Sequence, residues 1–245
     1  TQRNTLKVPF LKWTISWINN DGSTSHPSGI NSILKLQATT SVQPKLVVQD
    51  IEHLKTLPPR EMAAGWAEAI KHGLILDSRL LDKFESMAKQ MNTLEGEEPV
   101  NAIRRSVAIK GQVISSDEFE TGNQRILLNY GHTIGHAIET VTGYEIFLHG
   151  EAVAIGMTVA AGIAHRIGLI KSDLVDRQKH ILESFNLPTT ANNMDVNALI
   201  SATKSDKKSR GGTIRWVLLE GPGKATTREN IPDDVVLDSL RSILS

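Results

Sequence analysis

From residue 51 onward, apolar positions fall at a helical spacing almost to the end of the chain. In "PPREMAAGWAEAIKHGLIL", Met62, Trp66, Ala69, Ile70 and Leu74 form a stripe at helical period, and the leading prolines suit a helix start. Ser78 is placed to cap a second helix, "RLLDKFESMAKQM". A third helix is predicted from about Pro99 to Ser115, a fourth from roughly Asn123 to Val141 and a fifth from Glu151 to Ile167. The fifth is apolar nearly all round, which predicts a central, buried position. "SDLVDRQKHILESF", "DVNALISATK" and "IPDDVVLDSLRSIL" supply three more helices. "KLVVQD" at 45–50 and "TIRWVLLE" late in the chain read as strands. Residues 1 to about 44 are rich in turn formers and show little periodicity. The expectation is a mainly α fold: a multihelical bundle over 51–245, preceded by a small incomplete α/β remnant over 1–50. There is no internal repeat.

Composition narrows the chemistry. The 245 residues are 40% hydrophobic, enough to fill a real core. Twenty-seven basic and 27 acidic residues cancel, so no basic excess argues for nucleic acid or an anionic membrane. There is no cysteine, which excludes disulfides and thiolate catalysis and leaves a metal only His, Asp, Glu or water. The longest weakly polar run, Ala152 to Ala164, is too short to span a bilayer. No signal-peptide layout opens the sequence, and the expected location is the cytoplasm.

The polar positions of the fourth helix carry the candidate chemistry. On a continuous helix Arg125, Asn129, His132 and His136 share one narrow face, opposite Ile134, Ala137, Ile138 and Val141. A solvated face favours Lys and Glu, whereas this one offers a guanidinium, an amide and two imidazoles. Histidines at i and i+4 can both reach one ion, and a catalytic zinc commonly takes three protein ligands. His149 is a third candidate, with a core or capping histidine as its alternative reading. Glu68 lies off the apolar stripe, flanked by Lys71 and His72; periodicity slightly favours an ordinary Glu68–His72 pair on a wet face. Lys110 shares a face with Ile103, Val107 and Ile114, where a lysine either snorkels or meets an anion. "KSDKKSRGG" clusters Lys204, Lys207, Lys208 and Arg210, a solvated loop or a grip for phosphate or carboxylate. Spacing thus leads to a His/His/Glu metal site ringed by cations, suited to a small anion with metal-binding oxygens.

Four ordered motifs, "LKTLPPREMAAGWAEAIKHGLI", "AIKGQVISSDEFETGNQRILLNYGHTIGHAIE", "LHGEAVAIGM" and "DKKSRGGTIRWVLLEGPGKA", resemble 3-dehydroquinate synthase, a sugar-phosphate cyclase of the shikimate pathway to aromatic amino acids. The resemblance runs over roughly Gln43 to Lys224. It implies an N-terminal Rossmann-like domain for NAD and a C-terminal helical domain for a divalent metal, zinc or cobalt. Carried across by position, the implied metal ligands are Glu68, His132 and His149. His136 would sit beside the metal and contact substrate, and Lys71, Lys110, Arg125 and Asn129 would bind substrate or act in catalysis. One lysine of "DKK" belongs with them, Lys207, with Lys208 as the alternative. The implied reaction is a lyase reaction on a phosphorylated sugar acid, 3-deoxy-D-arabino-heptulosonate 7-phosphate. It begins with transient oxidation by NAD, eliminates phosphate and closes the ring to 3-dehydroquinate. A homodimer is the family's usual assembly.

The front end departs from the pattern. No G-x-G-x-x-G loop is present. "HPSGIN" is similar to a family segment His-Pro-x-Gly-Lys-Asn, but Ile30 stands at the lysine and Asn31 remains as the cofactor-binding match. The expectation is a degraded or truncated NAD domain, from a truncated or frameshifted gene, and an open question over unaided turnover. Competing readings are another sugar-phosphate cyclase, a metal-dependent alcohol or glycerol dehydrogenase relative, and a non-catalytic metal-binding helical module.

Overall fold

A computed structural model describes residues 51–117, 124–208 and 213–244, the side chains of 205–208 excepted, together with four two-residue strands near the start. Those strands, β1 (Leu6–Lys7), β2 (Thr14–Ile15), β3 (Trp17–Ile18) and β4 (Thr24–Ser25), form two antiparallel pairs, β1 with β2 and β3 with β4. The run expected as a strand at 45–50 lies outside the described residues.

A 3-10 turn (Ile51–Thr56) leads into α1 (Pro59–Leu76), which has proline in its first turn as expected. Then come α2 (Ser78–Ser86), α3 (Ala88–Thr93) and α4 (Glu98–Ser116). A second 3-10 turn (Arg125–Asn129) precedes α5 (His132–Val141). The chain continues through α6 (His149–Arg166), α7 (Ser172–Ser184) and α8 (Val196–Lys208). The antiparallel hairpin β5 (Trp216–Gly221) and β6 (Lys224–Arg228) and helix α9 (Asp233–Arg241) complete it.

The near-uniform apolarity of α6 has the expected consequence. Residues Gly150 to Met157 are buried without a break, and α5, α1, β5, α9 and α7 pack around the helix. Its small residues let backbones meet. A Cβ on Gly156 would lie 2.0 Å from the carbonyl oxygen of Gly131, and one on Gly150 would lie 1.9 Å from that of Ala64. Beside this axis, Trp66, Phe84 and Phe185 stack edge to face, with centroids 5.6–5.9 Å apart, and tie α1 to α2 and the end of α7.

Five expectations change. The fourth helix is not continuous: Gly131, at φ +80°, separates the 3-10 turn from α5, because the left-handed region cannot extend a right-handed helix. The second breaks at Met87, and its cap is Asp77, whose side chain accepts from the Leu80 N–H, not Ser78. The late strand has a partner, β6, whose lysine, threonines and arginine hid it. The polar side of α1 is not wet: Glu68, Lys71 and His72 are all buried. On α4 the buried line is Ala102, Ile103, Ser106, Ile109 and Val113, which leaves Lys110 and Val107 exposed.

His72 links α1 to α4, with Nδ1 2.8 Å from Ser106 Oγ. Burial, helped by the Lys71 charge, pushes its pKa down from 6.5 to about 3. The native state refuses a proton that the unfolded chain accepts, so this contribution is full above the unfolded pKa and declines as pH falls towards the folded one. The slope is about 1.4 kcal/mol per pH unit for one proton. Urea titrations across that window should lose one proton's worth of slope in His72→Leu; an unchanged slope contradicts the assignment.

The glycines give a paired prediction. Gly156→Ala should cost about 1–3 kcal/mol or more through the clash with Gly131. Gly111→Ala, with nothing within 4 Å, should stabilise α4 by up to about 1 kcal/mol. Opposite shifts in Tm check both.

Candidate metal centre

Three helices deliver one cluster. Glu68, Lys71 and His72 project from α1, His132, His136 and Glu139 from α5, and His149 from the first position of α6. The close approach of α6 to α1 and to the entry of α5 brings them together. The rings of His132 and His149 are 5.3 Å apart, those of His132 and His136 5.4 Å, and those of His136 and His149 6.1 Å.

The start of α6 is fixed by charge. Arg60 holds both carboxylate oxygens of Glu151 at 2.6 Å and also donates to the Ile146 carbonyl. Glu151 in turn accepts from the Leu148 N–H at 2.8 Å, closing the turn on which His149 stands. This partnership raises the Arg60 pKa. The start of α5 is held differently. The Tyr130 hydroxyl donates to Gln178 at 2.7 Å, and Gln178 donates to the Met157 carbonyl at 2.9 Å.

His132, buried, and His149, half-buried, each have one ring nitrogen committed. Nδ1 of His132 lies 3.2 Å from the Tyr130 carbonyl, and Nδ1 of His149 lies 2.9 Å from Glu139 Oε1. Carbonyl and carboxylate oxygens only accept, so both Nδ1 atoms carry the hydrogen, and a ring that binds an ion would do so through Nε2. Nε2 of His132 is 3.6 Å from Glu68 Oε1. That is too long for a hydrogen bond, yet close to the ~3.4 Å between two ligands of one tetrahedral zinc. Glu68 Oε2 accepts from Lys71 at 2.7 Å, while Oε1 is buried with no hydrogen-bond partner.

The charges suit a cation. Burial alone would raise the Glu68 pKa, but the Lys71 ammonium beside it, with Lys110 farther off, outweighs it and holds the carboxyl well below its usual range. Burial, with Lys71 next in effect, pushes His132 well below its ordinary value, so the ring is neutral as a ligand must be. Burial also lowers the Lys71 pKa against the opposing pull of Glu68.

One ligand-capable atom from each of Glu68, His132 and His149 lies within 4.8 Å of the others, and so does one from each of His136, Glu139 and His149. The donor set and the unsatisfied Glu68 oxygen fit a divalent ion. Of the other candidates, Lys110 is exposed on α4 but close enough for its charge to act on Glu68, Lys71 and His72. Arg125 is half-buried and Asn129 exposed on the 3-10 turn, so they do not share a helix face with His132. Asn31 and the side chains of Lys207 and Lys208 lie outside the described residues. Glu139, Tyr130 and the Arg60–Glu151 pair escaped sequence reasoning. Glu139 had a signal, since it falls three residues after His136 on the same helix.

Comparison with known proteins gives the chain a family. The family model described as 3-dehydroquinate synthase C-terminal matches residues 65–209. The 3-dehydroquinate synthase of Nitrosomonas europaea is 40% identical over 243 residues, which cover 97% of this chain and 65% of that protein. That of Nostoc punctiforme is 38% identical over 98% of this chain and 66% of its own length. The chain therefore spans just under two thirds of these relatives, and the similarity includes most of its first fifty residues as well as the four motifs. A solved 2-deoxy-scyllo-inosose synthase, complexed with carbaglucose-6-phosphate, NAD+ and Co2+, aligns with a TM-score of 0.67 and 26% identity over 84% of this chain and 60% of that one. A 2-epi-5-epi-valiolone synthase from Streptomyces hygroscopicus, with NAD+ and Zn2+ bound, shares the fold at a TM-score of 0.73 and 23% identity, over 82% of this chain and 58% of its own. No helix among the described residues is long and apolar enough to cross a membrane. With more than half its length matched by the family model and synthases about 40% identical along nearly all of it, the chain belongs to the 3-dehydroquinate synthase family.

Proposed function

We propose that this chain is the metal- and substrate-binding part of a 3-dehydroquinate synthase, which converts 3-deoxy-D-arabino-heptulosonate 7-phosphate to 3-dehydroquinate and phosphate in the shikimate pathway. The observation that carries the reading is the convergence of Glu68, His132 and His149 beside a buried lysine. These three are the ligand set, and zinc or cobalt, the ions named for the solved relatives, suits their nitrogen and oxygen donors. A bound divalent ion supplies Lewis acidity to the oxygens of the substrate.

The chain's own residues do the rest. Lys71 holds Glu68 through Oε2 and keeps Oε1 turned to the cluster. His136 is half-buried beside His132 and His149, where its ring can hold or pass a proton at a substrate oxygen. Arg125, Lys110 and Lys207 supply positive charge for the carboxylate and phosphate, and Asn129 an amide for a hydroxyl. The described residues contain no strand–helix–strand crossover to cradle a dinucleotide, so NAD contacts, Asn31 among them, belong outside them. A cytoplasmic homodimer is the assembly this reading expects.

The test is phosphate release from the heptulosonate phosphate by the purified chain with NAD and zinc. Release that stops with chelator and returns with zinc supports the proposal. A folded, zinc-loaded chain that neither releases phosphate nor binds the substrate in calorimetry sinks it.

The ligand set is tested separately by metal content. His132→Ala and His149→Ala should each lose stoichiometric zinc, whereas His136→Ala should retain zinc and lose about 100-fold or more in turnover. Loss of zinc from His136→Ala but not from His132→Ala would reverse the assignment.

A further inference from the structure

We propose that Glu139 is a positioning residue for the metal centre, orienting and polarising the His149 ring; this rests on the ligand set proposed above. Glu139 is buried on α5, and its Oε1 lies 2.9 Å from Nδ1 of His149 at the start of α6. A carboxylate in that place does two things. It fixes the rotation of the ring, and it fixes the tautomer that leaves the lone pair on Nε2, the nitrogen available to an ion shared with Glu68 and His132. Its negative charge also increases the electron-donating power of the imidazole. His132 receives the same service from a neutral group, the Tyr130 carbonyl. The two histidines therefore differ in how strongly they are pushed towards a cation, and Glu139 makes the difference.

The same atoms admit a competing arrangement, because His136, Glu139 and His149 form a second group of suitable spacing. There Glu139 would be a ligand itself, His149 would use Nδ1, and Glu68 and His132 would be bystanders. Geometry favours the orienting role. The Nδ1 to Oε1 distance is that of an ordinary charge-assisted hydrogen bond, shorter than the separation of two ligands on one ion. Glu68 Oε1, meanwhile, is buried without a hydrogen-bond partner next to His132.

The experiment measures zinc affinity of the full chain by competition with a chromophoric chelator, and the visible absorption of the Co2+-loaded chain. It compares the native protein with Glu139→Gln, Glu139→Leu and His132→Ala, with circular dichroism as the check on folding. Glu139→Leu, which removes the acceptor at similar volume, should bind zinc about 10–100-fold more weakly and shift the Co2+ bands. Glu139→Gln keeps an acceptor oxygen and loses the charge, so it should fall between Leu and native. Unchanged affinity and an unchanged Co2+ spectrum in the Leu variant overturn the proposal; if that variant does not fold, the same result in the Gln variant does so. Loss of stoichiometric zinc in both Glu139 variants, with zinc retained in His132→Ala, overturns it in favour of direct ligation. A native chain that takes up no zinc removes the ligand set and this proposal with it, whereas zinc binding indifferent to Glu139 removes this proposal alone.

Discussion

The contact between the backbones of α6 and α5, at Gly156 and Gly131, is the constraint on which the site depends. No side chain separates the two helices there, and a single added methyl carbon would stand 2.0 Å from a carbonyl oxygen. Because α6 can come so near, the first residue of each helix, His149 and His132, ends with its ring 5.3 Å from the other. Gly150 does the same for α1, whose Ala64 carbonyl it accommodates and whose Glu68 completes the group. The geometry of the proposed metal site follows from helix packing, and the packing follows from small residues at the points of closest approach. Interior packing is tight enough that such displacements are not absorbed elsewhere.

Electrostatics then decides what the packed cluster can hold. A buried carboxylate and a buried ammonium satisfy one another across 2.7 Å, but only through one of the two carboxylate oxygens. The remaining oxygen faces neutral imidazole. Burial keeps His132 uncharged, so the site does not cancel its own negative charge with protonated histidine. An ion entering it meets one full negative charge and two lone pairs, with a lysine already in place to keep the carboxylate from swinging away.

Much of this was legible in the chain. The period of α1 and the unbroken apolarity of α6 reported their places in the core, because packing against several neighbours leaves a simple signature. His132, His149 and Glu68 were found as residue types at suggestive positions. What failed has physical causes. The wheel that put Arg125, Asn129, His132 and His136 on one face assumed a continuous helix, and a glycine at positive φ breaks that assumption without disturbing the apolar rhythm around it. Glu68, Lys71 and His72 looked wet because periodicity reads polarity as solvent; a polar interior gives the same pattern as a polar exterior. β6 was missed because a strand covering one edge of a hairpin can be made of Lys, Thr and Arg and still pair fully with its neighbour. Long-range partners such as Arg60 and Glu151, 91 residues apart, leave no local trace at all.

That separation has a consequence for the chain as it is made. Arg60 and the polar side of α1 are complete long before Glu151 and His149 have been synthesised. At about 5–20 residues per second, translation leaves α1 without its partner for roughly 5–20 s. During that interval Trp66 lacks Phe185, the Ala64 backbone lacks Gly150, and Glu68 lacks His132 and His149. The nascent chain must therefore wait for the later helices, α6 and then Phe185 at the end of α7, before the two faces of α1 are enclosed.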